Sequence, residues 1–203
     1  MKRALYHHAR GSAIPRWSQP PRKAMKLEAN RQPILETERL RLQPLVSADA
    51  ALLFPLMDDP EVMAYWDVPE IDDPDLTAAI VQGQVAAMDA GRAIHWAIRR
   101  LADDGFVGCC SVTDIDRWHK RGEVGFLLGR DAWGRGYGLE AIAALVGYAG
   151  ASGLRKLAAR THLGNHRSEL LLEKLGFTRE GLLRGHVVRD GERRDCRLFG
   201  LLL

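Results

Sequence analysis

Residues 122–141 read GEVGFLLGRDAWGRGYGLEA, an apolar run, a glycine-rich turn and the head of a helix in succession. Alternation puts Glu123, Gly125 and Leu127 on one face of a strand and Val124, Phe126 and Leu128 on the other. Gly134, Gly136 and Gly138 then remove three side chains where the backbone must turn. A long, mostly apolar segment follows from Tyr137 to Ser152 and predicts a buried helix. Lys156–Thr161 reads as the next strand. This β-α-β unit should be a right-handed crossover with its ligand crevice at the strand's carboxyl end. Amides exposed by the glycines would face outward at the positive end of the helix dipole, which suits a phosphate or pyrophosphate. Arg135 adds a cation with a planar donor fork. The segment lacks G-x-x-x-x-G-K-[ST], so it is not a P-loop. Residues 136–141 formally fit G-x-G-x-x-G/A, but Asp131, Ala132 and Trp133 separate them from the strand, and the next strand ends at Arg160-Thr161 rather than at an acid. Arginine suits a 2′-phosphate, so an NADP site stays open as an alternative.

Working outward, Thr37–Leu45 alternates as a strand around Leu40, Leu42 and Leu45. Ser47 is placed as N-cap of a helix running to about Met57, and a second helix spans about Leu76–Asp89, stopped by Gly91. Ala93–Arg99 and Gly105–Thr113 form a hairpin around Asp103-Asp104-Gly105. Asn165–Leu175 is a helix capped by Asn165 and stopped by Gly176. Two last strands, near 177–188 and 193–203, flank Asp190-Gly191, a favoured tight-turn pair. The order β-α-α-β-β-β-α-β-α-β-β gives an α/β (α+β) fold with a mixed sheet.

Composition bounds the rest. With 203 residues, 46% apolar and 27% charged, the chain fits one globular domain plus an appendage. No apolar run reaches membrane-spanning length. Cys109, Cys110 and Cys196 make neither a disulfide framework nor a C-x-x-C pair, and a reducing cytoplasm is the expected compartment. Residues 1–33 hold eight Lys/Arg against Glu28, a charge of +7 within a total of +3, so residues 34–203 carry −4. With Pro15, Pro20, Pro21 and Pro33 breaking any helix, 1–33 is read as a flexible basic leader and 34–203 as the single domain. Met25 is left open as an alternative start. The leader leaves open an RNA-associated role.

Beyond these patterns, the sequence resembles the GNAT superfamily of acetyl-CoA-dependent N-acetyltransferases, closest to its RimJ/RimL-type branch. The resemblance rests on Gly122–Phe126, Trp133–Ala141, Asn165–Glu169 and Glu173–Phe177. Leu35–Leu42 and Asp59–Met63 extend it over about residues 34–203. It implies a strongly bent mixed sheet flanked by about four helices, with acetyl-CoA between two splayed parallel strands. Amides from Arg135, Gly136, Tyr137, Gly138 and Leu139 would hold the pyrophosphate, and Phe126, Leu127 and Leu128 would pair with the pantetheine arm. Asn165 would serve both as cap and as cofactor contact. Trp133 stands where the wider superfamily has Gln or Arg; the close branch also has an aromatic there.

The same resemblance suggests catalytic groups. Glu123, with room beside it at Gly125, is the candidate general base. Ser168 precedes Leu171, Leu172 and Leu175 at helical spacing and matches the serine of the close branch; it is the candidate acid for the departing thiolate. The tyrosine that many members use is replaced by Leu172. His162 and His166 share no helical face, so no metal is expected. Residues 58–75 hold eight acids and no Lys or Arg around Tyr65 and Trp66. With Asp72, these two are the candidate acceptor-binding residues, suited to a cation. The expected activity is acetyl transfer to a primary amine, either a protein N-terminus (ribosomal or other) or a small amine. The alternatives are a non-catalytic acyl-CoA-binding or RNA-associated module, and the NADP enzyme. Monomer and homodimer are both left open.

Overall fold

The structure, a computed structural model, describes residues 32–203. The expected leader therefore lies outside the described residues apart from Gln32 and Pro33. Among the described residues the chain forms β1 (Leu35–Glu36), β2 (Leu40–Pro44), α1 (Ala50–Met57), α2 (Pro60–Met63), α3 (Pro74–Asp89), β3 (Ile94–Arg100) and β4 (Phe106–Asp116). It continues with β5 (Arg121–Leu128), α4 (Tyr137–Ala151), β6 (Lys156–His162), α5 (His166–Lys174), β7 (Thr178–Arg189) and β8 (Glu192–Leu202). No helix among them is long and apolar enough to cross a membrane.

The strands make one mixed sheet in the order β1-β2-β3-β4-β5-β6-β8-β7. Only β5 and β6 run parallel, and they pair only where Arg121, Gly122 and Glu123 meet Lys156, Leu157 and Ala158. Beyond that point β5 stays bonded to β4 through Leu128, while β6 stays bonded to β8 through His162. The two strands therefore diverge within the sheet. A doubly wound parallel sheet, which the NADP alternative requires, is not what these strands build.

Each face of the sheet has its own core. On one, Val124, Leu157 and Ala159 pack with Ile142 and Leu145 of α4 and Leu172 of α5. On the other, Ala97 and Leu127 pack with Leu53 of α1 and Val81 of α3. Trp96 is fully buried, and its indole Nε1 donates to the Pro33 carbonyl at 3.0 Å. Burial in β4 pushes the Cys109 thiol up to about 12, so it stays neutral and packs as a small apolar group.

Four local features depart from the sequence expectations. The strand foreseen over 37–45 is broken, because the Thr37 hydroxyl bonds Leu40 and folds β1 back on β2. Ser47 does not cap α1. It starts a 3-10 turn whose cap is Val46, and Asp49 Oδ2 accepts from Val46 N at 3.0 Å. A fifth helix, the four-residue α2, lies in the acidic stretch, with the Asp59 carboxylate accepting from Glu61 N and Val62 N. Finally, α3 begins two residues early, with Asp73 as N-cap and Pro74 in the first turn, where a missing N–H costs nothing. Asp190 and Gly191 both take positive φ, as a two-residue hairpin turn demands.

Asp73→Ala should lower stability by about 1 kcal/mol, the usual worth of an N-cap, or roughly 2–4 °C in Tm. A thermal melt checks it. Asp73 is exposed and is not among the residues that line the cavity described next, so ligand binding should not change.

Candidate active site

The divergence of β5 and β6 opens a cavity of about 850 Å³. Glu123–Leu128 of β5 and Ala159–His162 of β6 form its sides, Ser168, Leu171 and Leu172 of α5 its floor, and Tyr65–Val68 its front. The edge of β5 from Val124 onward has no strand beside it, so it can accept an extended ligand as a pairing partner. Trp133 closes the far end of that edge. Its Nε1 donates to the Leu128 carbonyl at 2.9 Å, and the Arg167 guanidinium lies 4.1 Å from the indole centroid. Of the three residues expected to face pantetheine, Leu128 thus has its carbonyl already engaged.

Beyond Trp133 stands the head of α4. Gly134 and Gly136 take φ of 72° and 79°, which a side chain would oppose. Gly136 is the N-cap and brings no capping side chain. The first amide bonded within the helix is Glu140 N, to Gly136 O at 3.1 Å, so those of Tyr137, Gly138 and Leu139 point to the loop mouth. Gly138 brings the helix close: a Cβ there would lie 2.8 Å from a Leu171 methyl and 2.9 Å from a Leu128 methyl. Glu140 fastens this head to the β1–β2 turn. Its Oε1 accepts from Thr37 Oγ1 at 2.6 Å and Arg39 N at 2.8 Å, and its Oε2 accepts from Arg39 Nε at 2.7 Å. Partial burial pulls the Glu140 carboxyl up, but these bonds outweigh it and hold it below its usual value. Arg39 Nη1 also donates to the Arg135 carbonyl at 3.0 Å. Free amides, an exposed Arg135 and an open strand edge together fit a pyrophosphate followed by an extended amide-bearing arm.

Glu123 is the last β5 residue paired to β6, and its carboxylate enters the cavity at the point of divergence. Its Oε1 accepts from Arg160 Nε at 2.8 Å. Ser168 lies half-buried in the first turn of α5. Asn165 caps that helix as expected, with its side-chain oxygen accepting from Ser168 N at 3.2 Å, which leaves its amide N–H groups for a ligand. Tyr65 and Trp66 line the cavity. Residues 135–139 sit past its Trp133 rim rather than in its wall. Asp72 is exposed and outside it, because the chain turns there into the α3 cap.

Sequence reasoning missed Asp67, Arg160 and His162. His162 Nε2 and Asp67 Oδ1 are 2.9 Å apart, and Arg160 Nη1 stands 3.6 Å from Asp67 Oδ2. It also missed Arg189, 7% exposed, whose guanidinium donates to the carbonyls of Met63 and Trp66 and faces Glu70 at 3.5 Å. Arg189 pins the segment carrying Tyr65, Trp66 and Asp67 to the β7–β8 hairpin. The available signal was strand alternation, which sets Arg160 and His162 on one face of β6.

Comparison with known proteins agrees with this geometry. A family described as Acetyltransferase (GNAT) domain matches residues 39–178. The chain is 33% identical over 169 residues to "Uncharacterized N-acetyltransferase p20" of Bacillus licheniformis, covering 83% of this chain and 95% of that one. It is 29% identical over 171 residues to "Uncharacterized N-acetyltransferase YoaA" of Bacillus subtilis strain 168, covering 84% and 97%. Among solved structures, RimL, a ribosomal L7/L12 alpha-N-protein acetyltransferase in complex with coenzyme A, superposes with a TM-score of 0.78 at 19% identity, covering 84% and 98%. Spermidine N-acetyltransferase from Vibrio cholerae, with CoA and spermine, gives 0.73 at 18% identity, covering 82% and 96%. These two share the fold, and the NADP alternative falls with the family match. With RimL-like proteins among its structural neighbours, the chain belongs to the GNAT family and is an acetyl-CoA-dependent N-acetyltransferase.

Proposed function

We propose that the enzyme acetylates a primary amine by direct attack, without an acyl-enzyme, with Glu123 as general base and Ser168 as general acid. The acceptor is a protein N-terminal α-amine or a small amine, and the reaction is cytoplasmic. One observation carries the reading: Glu123 presents a carboxylate where the two parallel strands part, beside the open β5 edge. Acetyl-CoA supplies a thioester carbonyl when bound. The amides of Tyr137–Leu139 and Arg135 hold its pyrophosphate, and the β5 edge at Phe126 and Leu127 aligns its arm. As the C–N bond forms and the C–S bond breaks, Glu123 takes a proton from the incoming amine and Ser168 Oγ gives one to the departing thiolate; water then carries the proton from Glu123 back to Ser168. Leu171 and Leu172 keep water from the centre. An α-amine titrates at about 8 against about 10.4 for lysine, so it reaches the attacking form more readily. RimL, which carries this fold, is named for acting on such an α-amine.

Thermal melting with acetyl-CoA tests the first half. Ligand at 100 Kd contributes about 2.7 kcal/mol, which is a rise of roughly 5–11 °C for a domain of this size. NADPH should give none. Thiol release from acetyl-CoA on adding amines and N-terminal peptides tests the second half. A protein that melts identically with and without acetyl-CoA would overturn the site, and one that binds it but acetylates no amine would overturn the reaction.

A further inference from the structure

We propose that Asp67, steered by His162, is the carboxylate that anchors the acceptor as a cation, which makes the preferred acceptor a primary amine bound in its ammonium form. This rests on the amine-acetylation reading above and assigns a residue to its acceptor half.

The argument starts by sorting the acidic stretch. Asp59 caps α2 and pairs with Arg130 at 2.7 Å. Glu61 lines the cavity but is held by Arg130 at 3.0 Å. Glu70 faces Arg189, and Asp73 caps α3. Asp58, Asp72 and Asp75 face solvent. Asp67 alone lines the cavity with no guanidinium of its own: Arg160 is shared, bonding Glu123 at 2.8 Å and standing 3.6 Å from Asp67. Two carboxylates therefore divide one cation.

His162 orients Asp67 through a hydrogen bond. A carboxylate can only accept, so His162 donates from Nε2 to Asp67 Oδ1. Its Nδ1 is buried without a hydrogen-bond partner among the described residues, and the residue is 5% exposed. The Nε2 bond aims Asp67 at the cavity that both residues line. Glu123, Asp67 and Arg160 together leave one negative charge at the divergence of the strands, beside Tyr65 and Trp66. An ammonium group balances it, and the aromatic rings offer cation–π faces; the bound ammonium gives one proton to water to become the free amine and a second to Glu123 as it attacks. Arg189 fixes the segment from behind, so the carboxylate is in place before the acceptor arrives.

The test is steady-state kinetics with acetyl-CoA and two probes, 1,4-diaminobutane and a tetrapeptide with a free N-terminus. Asp67→Asn should raise KM for whichever probe is turned over by about 5- to 50-fold, the range of one charge-assisted hydrogen bond at a half-exposed site. KM for acetyl-CoA and the acetyl-CoA melting shift should not change. Added salt should raise the amine KM of the wild type and leave that of Asp67→Asn nearly flat. His162→Phe, which removes the donor, should also raise amine KM, and His162→Gln, whose carboxamide N–H can reach Asp67, should restore part of it. That rescue separates steering from mere packing. If the wild type acetylates an amine and Asp67→Asn keeps its KM, this assignment is overturned while the acetylation reading stands. If the wild type binds acetyl-CoA and acetylates neither probe, both are overturned.

Discussion

Glu123→Gln should lower kcat by about 10²–10⁴-fold and leave KM for acetyl-CoA unchanged. Glutamine keeps the size of the side chain and an oxygen that can still accept from Arg160 Nε. It loses the ability to take the amine's proton. The partly exposed Glu123–Arg160 pair contributes at most about 1 kcal/mol, so Tm should fall by no more than roughly 4 °C. Folding damage is therefore separable from catalytic loss. Residual activity should climb with pH through about 8 for an α-amine acceptor, because solution chemistry then supplies the free base that the variant cannot make. A variant with wild-type kcat would remove Glu123 from the chemistry and leave it as Arg160's partner.

The second large effect is structural. Gly108 of β4 sits at φ 150°, and a Cβ there would lie 2.0 Å from the Leu127 carbonyl oxygen and 2.9 Å from Leu128 Cα. These are backbone atoms of the adjacent strand, so no rotamer relieves the clash. Strain of about 1–3 kcal/mol and overpacking of similar size should combine to about 3–5 kcal/mol for Gly108→Ala, or roughly 6–20 °C in Tm. Gly147→Ala is the control. That glycine lies in α4 with nothing within 4 Å of its missing Cβ, and alanine there should be neutral or stabilising by up to about 1 kcal/mol. A Gly108→Ala protein as stable as the wild type would mean that β4 and β5 do not approach this closely. Since Leu127 and Leu128 hang from the same backbone, acetyl-CoA affinity should fall with stability.

What could be read from the sequence was local. The strand Glu123–Leu128, the glycine turn and the helix from Tyr137 follow one another within 30 residues, and each carries its own chemical cue. So do the Asn165 cap and the Asp190-Gly191 turn. The Asp59-Pro60 start of α2 was also a legible signal, but four residues give no helical period to support it. Ser47 misled because two oxygen-bearing side chains lie within two residues, and the buried Asp49, 2.8 Å from Arg99, was the one with the better geometry. Asp72 misled for a related reason: a run of acids shows charge without showing which members are already engaged. Asp67 and His162 stand 95 residues apart in sequence, and nothing short of the folded sheet brings them together.

The short parallel ladder has a mechanical consequence. Three paired residues on each strand join the half of the sheet that carries Glu123 to the half bordered by Ser168. The proposed proton acceptor and proton donor are thus mounted on opposite sides of a seam that the protein leaves mostly unstitched. A ligand lying along the open β5 edge supplies the missing stitches, so the molecule to be cleaved also sets the spacing of the groups that cleave it. Acetyl-CoA should therefore bind first, and the amine should meet a finished site only afterwards.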